Sequence, residues 1–467
     1  MIYLVIPADY PFVVATCLEF ASKEITNGKQ LSILNLSCLM PEIAFNPKAR
    51  IFSRIKYRPT VNSAIVSWCK ENRIKFFDID PKNYLESINV EPTDLMKNTF
   101  DRSIRSTYAK KYGTEEFHIS DIPKHIYKNY FDIFLSVQLI LDSILDSELD
   151  LKDAEIVTVN GRFLIDSSIL CFSKANKIKY RVLEGGLNDW DHYIEFKQSI
   201  QSIPELIEIM NEQVELDFLN EDVKCKKLAI QHMEERLSNN WYWNPMSNSN
   251  SIENQISGNY IAFFPTSNWE FGIFDHEINS ETKSISQKES FMWAADYCKK
   301  NSLKLVVRVH PHPDSQKLAQ AENNLWQKLT IEYGGILIKS NDQFNSHQIA
   351  RGALVNVVHQ SSIGAEFLYS GLPTAITNET LYTSLVPEFC FKTREEFELF
   401  MKNPIALKDR DRLIPWAYFM ANGGNSFNHF KILDNHNVMH LGKDFIRIRK
   451  WFVSTVAYIS QLKQLLN

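Results

Sequence analysis

Leu303-Lys304-Leu305-Val306-Val307-Arg308-Val309-His310-Pro311-His312-Pro313 decides how this chain is read. The run from 303 to 309 is mostly apolar and rich in valine, the pattern of a buried strand. His310 ends it, because a residue before proline is held extended and cannot begin a helix. A helical pattern follows at 315–333. The same design returns at 353–358, an apolar run closed by His359-Gln360-Ser361-Ser362-Ile363-Gly364-Ala365-Glu366, with a helical pattern over 362–369. Buried strands that alternate with helices predict parallel sheets. Ligands of such sheets bind at the carboxyl ends of the strands, where both polar turns fall.

Outward from these turns the alternation continues. Strand patterns lie at 3–6, 31–36, 74–79, 156–159, 179–183, 260–264 and 336–338, and helical ones at 12–27, 64–72, 163–176 and 287–300. Between 238 and 258 the composition turns polar around Ser247-Asn248-Ser249-Asn250-Ser251, which reads as a linker or exposed loop. At 467 residues the chain exceeds one ordinary core. Two α/β domains facing each other across a cleft are expected, 1–245 and 258–444. In the tail at 445–467, Trp451, Phe452, Val456, Ile459, Leu462 and Leu466 fit one helical face. That helix is expected to pack back on the N-terminal domain. Arg447, Arg449 and Lys450 leave contact with the inner membrane surface as a lesser alternative.

Composition narrows the class. A formal net charge of −5 argues against a dedicated nucleic-acid partner. The seven cysteines are scattered, odd in number and contain no C-x-x-C pair, so reduced thiols are expected rather than a zinc site or a disulfide framework. The opening Met1-Ile2-Tyr3-Leu4-Val5-Ile6-Pro7 lacks a basic flank and reads as a first strand, not a leader. No run is apolar over the roughly 18 residues that a membrane span needs. A cytoplasmic protein is the resulting expectation.

The chemistry-bearing residues sit at strand ends. Ser361 and Ser362 open a helix, where hydroxyls and free backbone N–H groups suit a phosphate, although plain capping fits them equally. His310 can bond a phosphate oxygen or protonate a leaving group; satisfaction at a strand end is the plainer alternative. His312 repeats its setting, while Arg308 is expected to face away as a structural residue. Thr266 and Ser267 end the 260–264 strand and could line the same pocket. Val182-Leu183-Glu184-Gly185-Gly186 places a carboxylate at another strand end, where Glu184 could act as general base or as a turn cap; Asp189 and Asp191 are rival bases. Arg162, after Asn160-Gly161, could hold a carboxylate or form a surface ion pair. Lys97, Arg102, Arg105, Lys110 and Lys111 read as a solvated helix face before an anion site. P-loop, G-x-G-x-x-G, H-E-x-x-H and G-x-S-x-G motifs are absent from the sequence. No D-x-D pair stands in a setting for metal-bound diphosphate, so neither metal nor other cofactor is expected.

Glu366-x4-Gly371-x-Pro373 is similar to the nucleotide-ribose segment of GT-B glycosyltransferases, in which the glutamate accepts from ribose hydroxyls. Glu-Gly at 184–185, His-Pro at 310–311 and Ser-Ser at 361–362, in that order, resemble the motifs of bacterial GT-B enzymes that use CMP-activated acids. These are the Kdo transferases of capsule and lipopolysaccharide synthesis and the bacterial sialyl- and polysialyltransferases. Asn160-Gly161-Arg162 also looks like the N-domain core of the capsule group. The resemblance runs from about Ile156 to Pro373. It implies a GT-B fold of two Rossmann-like domains, the N-terminal one on the acceptor side. Glu184 falls in its acidic-Gly motif, His310 in its CMP-contacting motif, and Ser361 and Ser362 in its phosphate-contacting motif. The sialyltransferases carry two acidic residues before the glycine, the first of them the usual base; here the first is Leu183, which by that comparison leaves Glu184 a positioning residue and the base elsewhere, for example at Asp189 or Asp191.

The expected function is thus inverting, metal-independent transfer of Kdo or a related ulosonic acid from a CMP-linked donor to a glycan or glycolipid acceptor in bacterial surface-polysaccharide synthesis. A GT-B enzyme using a UDP- or GDP-sugar, a CDP-polyol phosphotransferase, and a GT-B-like binding protein without catalysis stay open beside it.

Overall fold

Alternation of buried strands with amphipathic helices is what the chain adopts. A computed structural model describes residues 1–39, 58–79, 91–112, 119–146, 154–185, 191–197, 202–238, 259–266, 285–311, 316–342, 344–434 and 437–447. They divide into two units.

The first unit begins with β1 (Ile2–Ile6), α1 (Pro11–Thr26), β2 (Leu31–Asn35), α2 (Arg58–Glu71), β3 (Lys75–Asp78), α3 (Asp94–Tyr112, which belongs to this unit through Thr107) and α4 (Lys124–Asp146). β4 (Glu155–Val159), α5 (Leu164–Ala175), β5 (Lys179–Gly185) and β6 (His192–Phe196) follow. α1 starts on Pro11, whose missing N–H is harmless in a first turn. Strands β3-β2-β1-β4-β5 are parallel, and β6 runs antiparallel to β5. All five β1 residues are buried, as expected of a strand covered on both faces. Ile2, Leu4 and Ile6 pack with Leu18, Ile65 and Trp68 of α1 and α2. Lys97, Arg102 and Arg105 are exposed on α3, the solvated face anticipated for that stretch.

The second unit starts with α6 (Ile203–Leu237), capped by the Ser202 hydroxyl accepting from the Glu205 N–H. β7 (Tyr260–Phe264), α7 (Gln287–Lys300), β8 (Lys304–Arg308), α8 (Gln316–Glu332), β9 (Ile336–Ile338), α9 (Ser346–Gly352), β10 (Val355–Val358), α10 (Ile363–Tyr369) and β11 (Thr374–Ile376) build its five-stranded parallel sheet. α11 (Arg394–Lys402) and α12 (Ile414–Asn422) close the unit. Phe263 and Phe264 point to opposite faces. Phe263 meets Phe291 and Trp326 of α7 and α8, and Phe264 meets Phe367 of α10 with ring centroids 4.8 Å apart. Truncating either ring would cost about 3–5 kcal/mol. Gly371, at φ 72°, makes the expected sharp turn from α10 into β11.

The chain then returns to the first unit. β12 (Asn425–Ser426) pairs with β6, and β13 (Phe430–Asp434), β14 (Asn437–His440) and β15 (Lys443–Arg447) form an antiparallel meander. Phe430, Val438 and Ile446 join the core of α1 and α2. The Glu19 carboxylate accepts the backbone N–H groups of Asn428, His429 and Phe430 at 2.8–2.9 Å, which ties the returning chain to α1.

Two expectations change. Where one boundary was expected near 245–258, the two units divide the chain after 107, 117, 200 and 422. α6 groups with the second unit because its Tyr418 and Asn422 partners lie on α12 there. The tail that packs on the first unit does so through strands 425–447, so 445–447 are strand rather than helix; 448–467 and the expected linker at 239–258 lie outside the described residues.

Candidate active site

In the second unit the chain lays down β7, β8 and β9 in one direction and then crosses to place β10 and β11 on the other side of β7. β7 and β10 therefore flank the switch point of the sheet, and open α/β sheets bind ligands at the carboxyl ends of the strands at such a point. Thr266, two residues past β7, lies there; its N–H donates to Gln287 Oε1 at 2.6 Å, so the first turn of α7 holds that strand end. The 359–362 turn leaves β10 beside it, tied to β7 by the His359 N–H donating to the Phe264 carbonyl at 3.3 Å. His310 ends β8, the neighbour of β7 on its other side. Thr266, His310, Ser361 and Ser362 are therefore brought to one edge of one sheet. Ser267 and His312 lie outside the described residues.

The 359–362 turn is rigidly built. His359 is fully buried, and its Nδ1 lies 3.2 Å from Thr377 Oγ1, which also meets Ser290 Oγ at 2.5 Å. Gln360 takes φ 49°, a left-handed conformation that costs a non-glycine residue about 1 kcal/mol or more and marks an imposed turn. The Tyr382 hydroxyl donates to the Ser361 carbonyl at 2.8 Å. It reaches that carbonyl because position 364 is glycine: a Cβ there would stand 2.2 Å from Tyr382 Oη.

Ser362 occupies the N-cap position of α10, yet its side chain makes no cap hydrogen bond. Its hydroxyl accepts instead from Arg236 Nη2 of α6 at 3.2 Å. The same guanidinium donates through Nε to Glu366 Oε1 at 2.6 Å, while His347 Nε2 lies 2.9 Å from Glu366 Oε2. All three side chains are less than a tenth exposed. Burial alone would raise the Glu366 carboxyl pKa; Arg236 and His347 outweigh it and hold the group below the usual carboxylate range. Glu366, assigned to a ribose from the sequence, is thus the counter-ion of a buried Arg–Glu–His cluster that fixes the serine turn. His232, one helical turn before Arg236, is buried and pushed down to about 4, first by burial and then by Arg236. It stays neutral at pH 7.

Sequence reading missed Arg236 and His232. Their signal was present: Cys225, Ala229, His232, Met233 and Arg236 form a buried stripe at helical spacing on α6.

In the first unit the switch lies between β1 and β4. Glu184, half-buried at the end of β5, accepts from Asn160 Nδ2 at 3.0 Å. Asn160 takes φ 67° at the end of the adjacent β4, and its Oδ1 accepts the Arg162 N–H at 3.3 Å. Arg162 stacks its guanidinium 4.8 Å from the Phe163 ring centroid. Leu183 is fully buried in the core with Val157, Val159 and Tyr193. Its neighbour Glu184 points to the opposite face, so the strand end presents one carboxylate. Asp191 is exposed before β6, and Asp189 lies outside the described residues. Among the described residues, no group of three or more His, Cys, Asp or Glu side chains could hold a metal ion, and no helix is long and apolar enough to cross a membrane.

No protein-family model and no curated protein matches the chain. Among solved structures it is similar to the Thermosulfurimonas dismutans KpsC beta Kdo 2,4 transferase, with 11% identity, 65% of this chain and 86% of that one covered, and a TM-score of 0.34. The beta Kdo 2,7 transferase of the same protein shows 12% identity over 59% and 79%, with a TM-score of 0.33. Acinetobacter baumannii MurG shows 11% identity over 91% and 95%, with a TM-score of 0.24. At these values the description of the protein as two Rossmann-like α/β units rests on its own sheets and their order.

Proposed function

We propose that the protein is an inverting, metal-independent GT-B glycosyltransferase of bacterial surface-polysaccharide synthesis. It moves Kdo or a related ulosonic acid from a CMP-activated donor to a glycan acceptor hydroxyl. The observation that carries this reading is the grouping of Thr266, His310, Ser361 and Ser362 around the β7–β10 switch point, on the motifs that resemble CMP-sugar enzymes. An acceptor oxygen attacks the anomeric carbon, the bond from that carbon to the CMP phosphate oxygen breaks, and the acceptor proton passes to a carboxylate. Glu184, oriented by Asn160, is the base assigned to that proton. His310, Ser361 and Ser362 stabilise the departing phosphate, where fixed donors act most strongly. A carboxylate offers about four lone-pair sites. Arg236 and His347 occupy most of those on Glu366, so any ribose hydroxyl would share the group with them.

Calorimetric titration with CMP, CDP, UDP and GDP tests the donor class: CMP binding tightest supports the reading, and preference for UDP or GDP refutes it. His310→Ala should lower transfer on the order of 100-fold with an unchanged circular dichroism spectrum. Undiminished transfer would remove His310 from the mechanism.

A further inference from the structure

Among the described residues, Arg181, Arg236 and Arg308 are largely withdrawn from water, and the first two are paired. Arg181 contacts Glu155, Glu24 and Glu195, and Arg236 contacts Glu366. Arg308, the last residue of β8, is 2% exposed and is treated differently. Its Nη1 donates to the Lys339 carbonyl, but Nε and Nη2 have no hydrogen-bond partner among the described residues and are shielded from solvent. Asp342 acts on it electrostatically without forming an ion pair, and Asp342 Oδ2 already accepts the Lys339 N–H at 2.8 Å. Burial pushes the Arg308 guanidinium down to about 10, an effect that Asp342 offsets only in part, and it remains charged at pH 7.

The two unpartnered atoms define the ligand chemistry. Nε–H and Nη2–H are the parallel pair of a guanidinium, the edge that grips two oxygens of one carboxylate or phosphate side-on. The third donor anchors the group on a braced loop, since the Ser340 N–H donates to Asn323 Oδ1 at 2.9 Å and Asn323 Nδ2 to Ser340 Oγ at 3.1 Å. Val306, two residues earlier on the same strand face, packs with Ile338 and Ile349. Arg308 thus stands at the carboxyl edge of that core, two residues before His310. A purely structural arginine there would leave a buried charge uncompensated, a costly arrangement.

We propose that Arg308 is an oxyanion-binding residue, taking side-on the two oxygens of a carboxylate or phosphate carried by the substrate. The assignment goes beyond the CMP reading and does not need it, because either oxyanion could come from another donor.

The test uses the full chain as wild type, R308M and R308K. Melting temperature and calorimetric affinity are measured with inorganic phosphate, acetate and CMP, against sodium chloride at matched ionic strength. Wild type should be stabilised by phosphate or by acetate beyond the chloride control, and which of the two acts identifies the source of the oxyanion. R308M should melt no lower than wild type without anion, since an apolar chain replaces an unpaired buried charge, and should lose the anion-dependent shift. R308K keeps the charge but not the fork, and should weaken anion affinity at least tenfold. The proposal is overturned if neither anion shifts wild type, or if R308K binds as wild type does. If R308M does not fold, R308K alone decides. An Arg308-dependent phosphate or acetate shift without CMP binding keeps the inference and removes the CMP reading. CMP binding with anion shifts untouched in R308K does the reverse.

Discussion

Replacing Glu366 by glutamine removes one charge from a site that has almost no solvent to compensate. The carboxylate and Arg236 are each 6% exposed, and His347 is 9% exposed. Glutamine preserves the shape but leaves Arg236 buried with only partial acceptors, among them Ser362 Oγ. Breaking a buried pair from one side costs about 3–5 kcal/mol. For a unit of this size each kcal/mol shifts the melting temperature by about 2–4 °C, so a fall of about 6–20 °C is expected. Thermal melts by circular dichroism at pH 7 measure it. The R236M/E366Q double variant should recover part of the loss, because removing the guanidinium leaves no buried cation in need of a counter-ion. The acid limb gives a second reading. The folded carboxyl lies below its ordinary value of 4.5, so its stabilisation is present above that pH and is lost as pH falls through the lower folded value. E366Q should lack this limb. Melting within about 2 °C of wild type would refute the reasoning, since the carboxylate would then not be neutralising Arg236.

Further perturbations follow from the same unit. Gly364→Ala would place a methyl 2.2 Å from Tyr382 Oη and 3.2 Å from its Cζ, against a ring that is 1% exposed. A loss of about 1–3 kcal/mol in urea melts is expected, with partial recovery in G364A/Y382F, where the clashing hydroxyl is gone. An unaltered G364A would show that the turn yields freely. His232 titrates near 6.5 when unfolded but only at about 4 when folded. Stability should therefore fall as pH drops from about 6.5 toward 4, by up to about 3 kcal/mol, and H232Q should flatten that slope. Equal slopes in urea melts at pH 7, 6 and 5 would contradict it.

The strand and helix pattern was legible because it is local. The helical pattern over 287–300 is α7, and the strand at 260–264 is β7, each residue for residue. Apolar spacing already states which face of such a segment leaves water. The return of the chain through β13–β15 was not legible. Phe445 and Ile446 also satisfy a helical spacing, and the deciding contact, Glu19 with the N–H groups of 428–430, joins residues about 410 positions apart. The site divides in the same way. His310, Ser361, Ser362 and Glu184 could be placed at strand ends from their order in the chain. The counter-ion of Glu366 could not, because Arg236 lies 130 residues before it on another helix.

By itself, then, the sequence determined the succession of buried strands and covering helices and the polar turns at their carboxyl ends, since these depend on periodicity within a dozen residues. The tertiary structure alone decided what each buried charge meets: Glu366 is held by Arg236 and His347, and Arg308 keeps two donors free of protein partners among the described residues. The physical reason is that burial follows from the local pattern, whereas neutralising a buried charge depends on which distant segment the folded chain brings within hydrogen-bond reach.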